Sequence, residues 1–315
     1  MSSGSSDKLT LPEAQEGFLN IVRKLNDSDN FKQLLNWIQW NWLNDGKLKE
    51  SDTSEEILDS IAADLRSSLP LEAVLPSEII RAPTFGKNSD CEQQHTVHVD
   101  AFLYDDEMVD VLCDEGKIPR SCCLQCGSLN TRPLTFISHS LSRERLLFIF
   151  KSMLPPLDGK VVLDVGSRLG AALYGACVYS KASKIVGVEI NADFCNIQKK
   201  IIEKYNFQDR IEIIEANIAH RPDIILAVDV VIMNNVFEFF VEPEQQISIW
   251  KFLRQTTKSG TLLVTVPPLE ETFSYLQTGI VLSEWVQELP LYNPDAAGIT
   301  MSAEEMQELK HYRVI

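Results

Sequence analysis

From Phe136 onward the apolar positions switch repeatedly between two periods. Short β-branched runs fall at Val161–Val165, Lys184–Glu189, Ile211–Glu215, Asp229–Met233 and Thr261–Val266. Stretches of helical period separate or precede them, at Ser142–Leu154, Ala171–Ser180, Asp193–Tyr205 and Glu244–Thr257. The first of these stops at Pro155-Pro156, where the chain can no longer donate to a helix. Nearly continuous apolar strands alternating with helices predict an α/β fold with a doubly wound, mostly parallel sheet. The tail is less regular. It reads as a strand over Trp285–Leu289, a helix over Ala303–Lys310 and a terminal strand over Tyr312–Ile315.

The first 130 residues follow a different pattern. Leu19, Val22, Leu25, Phe31, Leu34, Leu35, Ile38 and Trp42 recur at helical spacing, broken around Asn26–Asp29. Trp37, Trp40 and Trp42 cluster there, either packing on a neighbouring helix or forming a docking face. Another helix opens near Ser54 as cap, carries the stripe Ile57, Ile61 and Leu65, and ends before Pro70. Pro70 to Pro83, with three prolines, reads as a traversing connection, and Thr96–Val99 to Tyr104 as a short strand. The organisation expected is a disordered leader over 1–10, a mainly helical accessory or substrate domain over 11–130, and the α/β domain over 131–315.

Composition narrows the class. With 44% hydrophobic and 23% charged residues, the chain suits a folded soluble protein of about two domains. It holds no apolar run long enough to span a bilayer, and its first residues lack the pattern of a secretory signal. Seven scattered cysteines point to free thiols in a reducing compartment, cytoplasmic or nuclear. A net charge of −16 argues against nucleic acid, which rewards basic surfaces, and favours a basic protein substrate or a small molecule.

The chemistry concentrates at Asp164-x-Gly166-x-x-x-Gly170, directly after the first strand. Glycines there let the backbone turn tightly and approach a ligand. Glu189 ends the next strand about twenty residues on, the spacing of a ribose-binding acid. A dinucleotide site wants Gly-x-Gly-x-x-Gly for its pyrophosphate; here Arg168 takes the middle glycine's place and an acid precedes the turn. The pattern resembles motif I of the class I S-adenosylmethionine-dependent methyltransferases, whose usual form is acid-x-Gly-x-Gly-x-Gly.

That resemblance implies a Rossmann-like sheet closed by an antiparallel hairpin, and S-adenosyl-L-methionine as cofactor. It implies cofactor contacts from Asp164, Gly166, Arg168, Gly170, Glu189, Asn217 and Asn234. Asn217, in Glu215-Ala-Asn217, stands where the family binds the adenine amino group, or it forms a turn. Arg168 either obstructs the loop or turns outward over the cofactor's carboxylate. Asn234-Asn235-Val-Phe237-Glu-Phe239 is similar to the Asn-Asn-Phe-x-Phe stretch of the non-SET histone-lysine methyltransferases, with Val236 departing. The similarity implies an acceptor amine held by Asn234 and Asn235 inside aromatic walls that include Phe237. Glu238 and Glu242 either steer a basic substrate or simply face solvent.

Cys123-x-x-Cys126-Gly has the spacing of half a structural zinc site. Cys91, Cys113, Cys122, His95, His98 and His139 offer no second clean pair, although Cys91 with His95 or His98 has metal-like spacing, so free thiols are expected, with a structural zinc as the alternative. His139, with Ser138 and Ser140, lies just before the helix preceding the glycine motif, where the family's chain folds over the cofactor's methionine end. Capping by Ser140 or Ser142 explains the same residues structurally. The reading is a protein N-methyltransferase with lysine favoured. The alternatives are a small-molecule methyltransferase or an inactive methyltransferase-like binding module, for which Arg168 and the Trp-rich helices would be the marks.

Overall fold

A computed structural model describes residues 50–83, 95–123, 131–296 and 298–315, together with Gly17, Asn20, Lys24, Gly86 and Ser89. The tryptophan cluster, the leader, Cys91 and Cys126 lie outside the described residues. The chain divides into two units, Met1–Glu56 and Ile57–Ile315.

The second unit is built on a seven-stranded sheet. Its strands are β5 (Val161–Val165), β6 (Lys184–Glu189), β7 (Ile211–Glu215), β8 (Val230–Asn234), β9 (Leu262–Val266), β10 (Val286–Glu288) and β11 (Lys310–Val314). They lie in the order β10-β11-β9-β8-β5-β6-β7, with β5 to β9 parallel and β11 antiparallel between β9 and β10. Direction reverses in strand order on either side of β5, which makes the carboxyl ends of β5 and β8 a topological switch point.

Period-two side chains explain why these runs are strands and why helices cover both faces. Along β8, Val230 and Ile232 enter one core while Val231 and Met233 enter the other. The first core is completed by α3 (Arg143–Leu147), the π-helical turn Phe148–Met153, and α4 (Ala171–Tyr179), the latter buried almost all round. The second takes α6 (Pro222–Ala227), α7 (Pro243–Thr256) and α8 (Leu269–Tyr275), with Trp250 and Leu253 of α7 at its centre. Helix α5 (Ala192–Lys204) is capped by Asn191, whose side chain accepts from Asp193 N at 2.9 Å.

Ahead of the sheet lie α1 (Glu50–Ser68), β1 (Thr96–His98), α2 (Asp106–Asp114), the β2–β3 hairpin (Ser121–Cys123, Thr131–Pro133) and β4 (Thr135–Ile137), which pairs in parallel with β1. Leu58, Ile61, Leu65, Phe102 and Leu103 from this region are fully buried in the same core as α4.

Several sequence expectations shift. Helix α1 starts at Glu50, so Ser54 is an interior residue and not its cap. The expected strand does not run on to Tyr104: Asp100 starts a turn, accepting from Leu103 N and Tyr104 N. The helix before Pro155 is capped by Ser142 and loosens into a π turn before ending at Leu154. The terminal strand begins at Lys310, two residues early, and shortens the preceding helix α9 to Ala303–Gln307.

Candidate active site

The loop between β5 and α4 is set by backbone conformation. Gly166 (φ +70°) and Gly170 (φ +88°) occupy the left-handed region that favours glycine. The amides of Gly166 and Ser167 both donate to Val188 O, at 2.8 and 3.2 Å, folding the loop against the end of β6. A Cβ on Gly166 would lie 2.4 Å from Val236 Cγ2, so the loop after β8 presses directly on it.

Four buried carboxylates surround this loop. Glu189 accepts from Arg168 N at 2.9 Å and from Asn191 N at 2.8 Å, one bond per oxygen. A carboxylate has about four acceptor positions, so Glu189 keeps capacity for hydroxyl donors. Asp164 is 5% exposed. Burial, then the charge of Glu189, pushes its pKa well above the usual carboxylate range. No hydrogen bond or positive charge of the described residues offsets it.

The other two acids belong to Arg168. Its side chain does not turn outward. Left-handed at φ +44°, Arg168 donates from Nε to Glu78 Oε1 (2.7 Å), from Nη1 to Asp100 Oδ2 (2.9 Å) and from Nη2 to Ala73 O (2.6 Å) and Glu78 Oε2 (3.1 Å). The guanidinium also lies 5.0 Å from the Phe194 ring centroid. Asp100 is held further by Ser140 Oγ at 2.5 Å and by Phe102 N at 3.1 Å. All three side-chain nitrogens of Arg168 are engaged by protein, so the expectation that it reaches over a cofactor's carboxylate does not fit. Sequence reasoning missed Glu78 and Asp100 because nothing local ties them to a residue 90 and 68 positions away.

At the end of β8, Asn235 is left-handed (φ +48°) and its amide donates to Val266 O at 2.7 Å. Asn234 Nδ2 donates to His139 O at 3.2 Å. This contact brings the segment before α3 to the expected acceptor end. The His139 ring is buried, its Nε2 is 3.1 Å from His98 Nδ1, and Phe239 and Phe240 meet it edge-on, each at 5.1 Å. Burial, then the charge of Arg168, holds the His139 pKa well below 6.5, so the ring is neutral. His139 Nδ1 has no hydrogen-bond partner among the described residues. Phe237, expected in the aromatic wall, packs instead on Trp250 in the core at 5.4 Å. Asn217 is exposed, and its side-chain oxygen accepts from Ala219 N at 3.0 Å, which is a turn-forming role. Among the described residues no group of three His, Cys, Asp or Glu side chains is placed to hold a metal. None of the described helices is long and apolar enough to cross a membrane.

The strand order with its antiparallel β11, the glycine turn after β5 and the acid ending β6 occur here together. The fold is that of the class I methyltransferases. No family model matches the chain, and no curated protein sequence does. Similar solved structures include an rRNA methylase of Clostridium thermocellum (16% identity, 54% of this chain and 93% of that one, TM-score 0.37). A precorrin-6Y C5,15-methyltransferase of Geobacter metallireducens matches at 13% identity, 56% and 90% coverage and TM-score 0.38. An RNA methyltransferase of Salinibacter ruber in complex with S-adenosyl-L-homocysteine matches at 19%, 55% and 88%, and 0.34. All three are methyltransferases, but at such scores the likeness adds nothing to what the strand order already establishes.

Proposed function

We propose that the chain is an S-adenosylmethionine-dependent methyltransferase that methylates nitrogen on a protein side chain, with lysine favoured. One observation carries the cofactor. Arg168 neutralises Glu78 and Asp100, which leaves Asp164 without a cation and Glu189 with open acceptor positions at neighbouring strand ends. S-adenosylmethionine supplies what this pair lacks, an ammonium for Asp164 and two ribose hydroxyls for Glu189. When bound, it brings a sulfonium-activated methyl group, so the chain needs only to align an acceptor and exclude water.

In this reading Asn234 and Asn235 hold the acceptor at the end of β8, and Phe239 and Phe240 shield it, in place of Phe237. Preference for a basic acceptor is supported by the net charge of −16 and by the amides of this segment. The similar structures mentioned above are named for rRNA, RNA and precorrin and none for lysine. The accessory role of residues 11–130 and a cytoplasmic or nuclear location belong to the same proposal. A non-catalytic module is the second reading, favoured by the Arg168 side chain and Val236 standing against the loop where a glycine and open space would be expected.

Titration calorimetry with S-adenosylmethionine, beside NAD as control, tests the cofactor. Binding of the sulfonium compound alone, lost in Glu189→Ala, is expected. Binding of NAD, or of neither, overturns the reading. Transfer of labelled methyl to lysine-rich protein, to RNA and to small amines then separates the acceptor classes, and label on RNA alone would sink the lysine preference.

A further inference from the structure

We infer that Arg168 is a positioning residue, the latch of a strap formed by residues 69–83 that closes the cleft over Asp164 and Glu189. This rests on reading that cleft as the cofactor site. The strap has neither helix nor strand, and Pro70, Pro76 and Pro83 restrict its backbone. It crosses the carboxyl edge of three strands. Ser77 Oγ donates to Asp193 Oδ2 (2.6 Å) and meets Asn191 Nδ2 (3.1 Å) beyond β6. Ala73 and Glu78 meet Arg168 beyond β5. Arg81 N donates to Phe239 O (2.8 Å) beyond β8, and its side chain pairs with Glu242.

These ties are unequal. Those of Ser77 and of the Arg81 side chain are exposed to water and screened, and contribute little. The joint at Arg168 is buried on both sides, its side chain and that of Glu78 being 7% and 6% exposed. A guanidinium offers a rigid fork of donors, and here it grips Glu78 through two nitrogens while reaching Asp100 with the third. Among the described residues every hydrogen-bond partner of that side chain comes from the segment ahead of the sheet, and its one ring contact is with Phe194 of α5. Only at this position does the loop hold a long side chain in a left-handed conformation that glycine would adopt without strain. The substitution thus converts a ligand-facing turn into the fastening of a cover. Asp164 and Glu189, at the ends of strands that the strap crosses, are only 5% and 6% exposed, and the Arg168 amide itself donates to Glu189, so the latch residue joins the strap to the acid that would take the ribose.

The experiment uses the full chain carrying S77C and D193C, two exposed positions now joined by a hydrogen bond. Stopped-flow binding of S-adenosylmethionine is expected to slow at least tenfold when this pair is oxidised and to recover on reduction, with oxidised wild type unchanged. Equal rates in both states overturn the latch. Backbone hydrogen exchange provides a second readout that needs no ligand. In Arg168→Gly/Glu78→Gln/Asp100→Asn, which removes the cation together with both carboxylates it pairs, amides of residues 71–82 are expected to exchange at least tenfold faster, while those of β5, β6 and β8 keep their protection. Unchanged exchange in the strap overturns the inference, and faster exchange throughout the sheet does so too. If neither wild type nor reduced variant binds the cofactor, the reading of the cleft has failed, and the exchange result alone decides the latch.

Discussion

Gly166 shows how much a single residue sets at this site. It is left-handed at φ +70°, and an added Cβ would meet Val236 Cγ2 at 2.4 Å. Sequence reasoning assigns Gly166 to a tight turn and to ligand contact, and the structure makes it also the seat of the loop after β8. Gly166→Ala is therefore expected to destabilise the fold by about 1–3 kcal/mol from backbone strain and the forced shift of Val236. Cofactor affinity should fall with it. Adding Val236→Ala removes the clash but not the strain, so the double variant should recover part of the loss in a denaturation cycle. A neutral Gly166→Ala would show that the two loops do not touch. Asp164 supplies a second test at this scale. With its pKa raised by burial and by Glu189, it is protonated at a pH where an ordinary aspartate is charged. Only the ionised form attracts an ammonium. Cofactor binding should therefore strengthen as pH rises through this pKa and release a proton, read by calorimetry in buffers of different ionisation heat. Asp164→Asn should abolish that proton release; its persistence would remove Asp164 from the cofactor's surroundings.

Among the elements, legibility follows how locally each is encoded. Strands β5 to β9 were predicted within a residue because each is a short buried run ended by turn residues. Their parallel, doubly wound arrangement was implied by alternation with helices, whereas the order of the strands came only with the structure. The short helices α2, α6 and α8 were not anticipated, since six to nine residues barely express a helical period. The latch was invisible for a different reason: Arg168 is an obvious anomaly, but its partners are fixed only by tertiary folding. Phe237 and Phe239 differ by two positions, yet one enters the core against Trp250 and the other meets His139, a choice made by the turn and not by the residue type. Tyr312 of β11 illustrates how the terminal strand ties into the site's scaffold. Fully buried, it donates to Glu270 Oε2 at 2.6 Å and accepts from Leu269 N at 3.1 Å, fastening the start of α8. Tyr312→Phe leaves that amide unpaired and should cost about 1–3 kcal/mol, measured by urea denaturation. No change in midpoint would mean that water replaces the hydroxyl and the strand is held by its ladder alone.

Over the whole molecule, acid pH acts through two opposed sets of groups. Buried and half-buried histidines resist charging in the folded state. His311, 3% exposed on β11, has its pKa lowered to about 4, chiefly by burial, and His98 and His139 are lowered too, by burial and then by Arg168. The unfolded chain protonates these rings near pH 6.5, so it binds more protons than the fold, and stability falls as pH drops from about 6.5 toward 4. For His311 a shift of that size corresponds to about 3 kcal/mol at most. Asp164 works in the other sense: its raised pKa gives a contribution present at low pH and lost as pH rises through the folded value. Asp64, held low by Lys204 and Tyr205, loses its contribution only on further acidification, below the ordinary aspartate range. Protonating carboxylates also relieves the self-repulsion of a chain with net charge −16, again mostly below about pH 5. In the interval between about 6.5 and 5 the raised carboxylates act as well, so a single ring is isolated by comparing two proteins that share the same carboxylates. His311→Leu keeps an apolar side chain in the buried position and removes one titrating ring. Its stability relative to wild type should improve steadily as pH is lowered across that interval, by about 1.4 kcal/mol per pH unit in the limit of full linkage. Urea midpoints at closely spaced pH values give the slope, and a difference between the two proteins that stays constant from pH 7 to 5 would show that His311 titrates alike in the folded and unfolded chain.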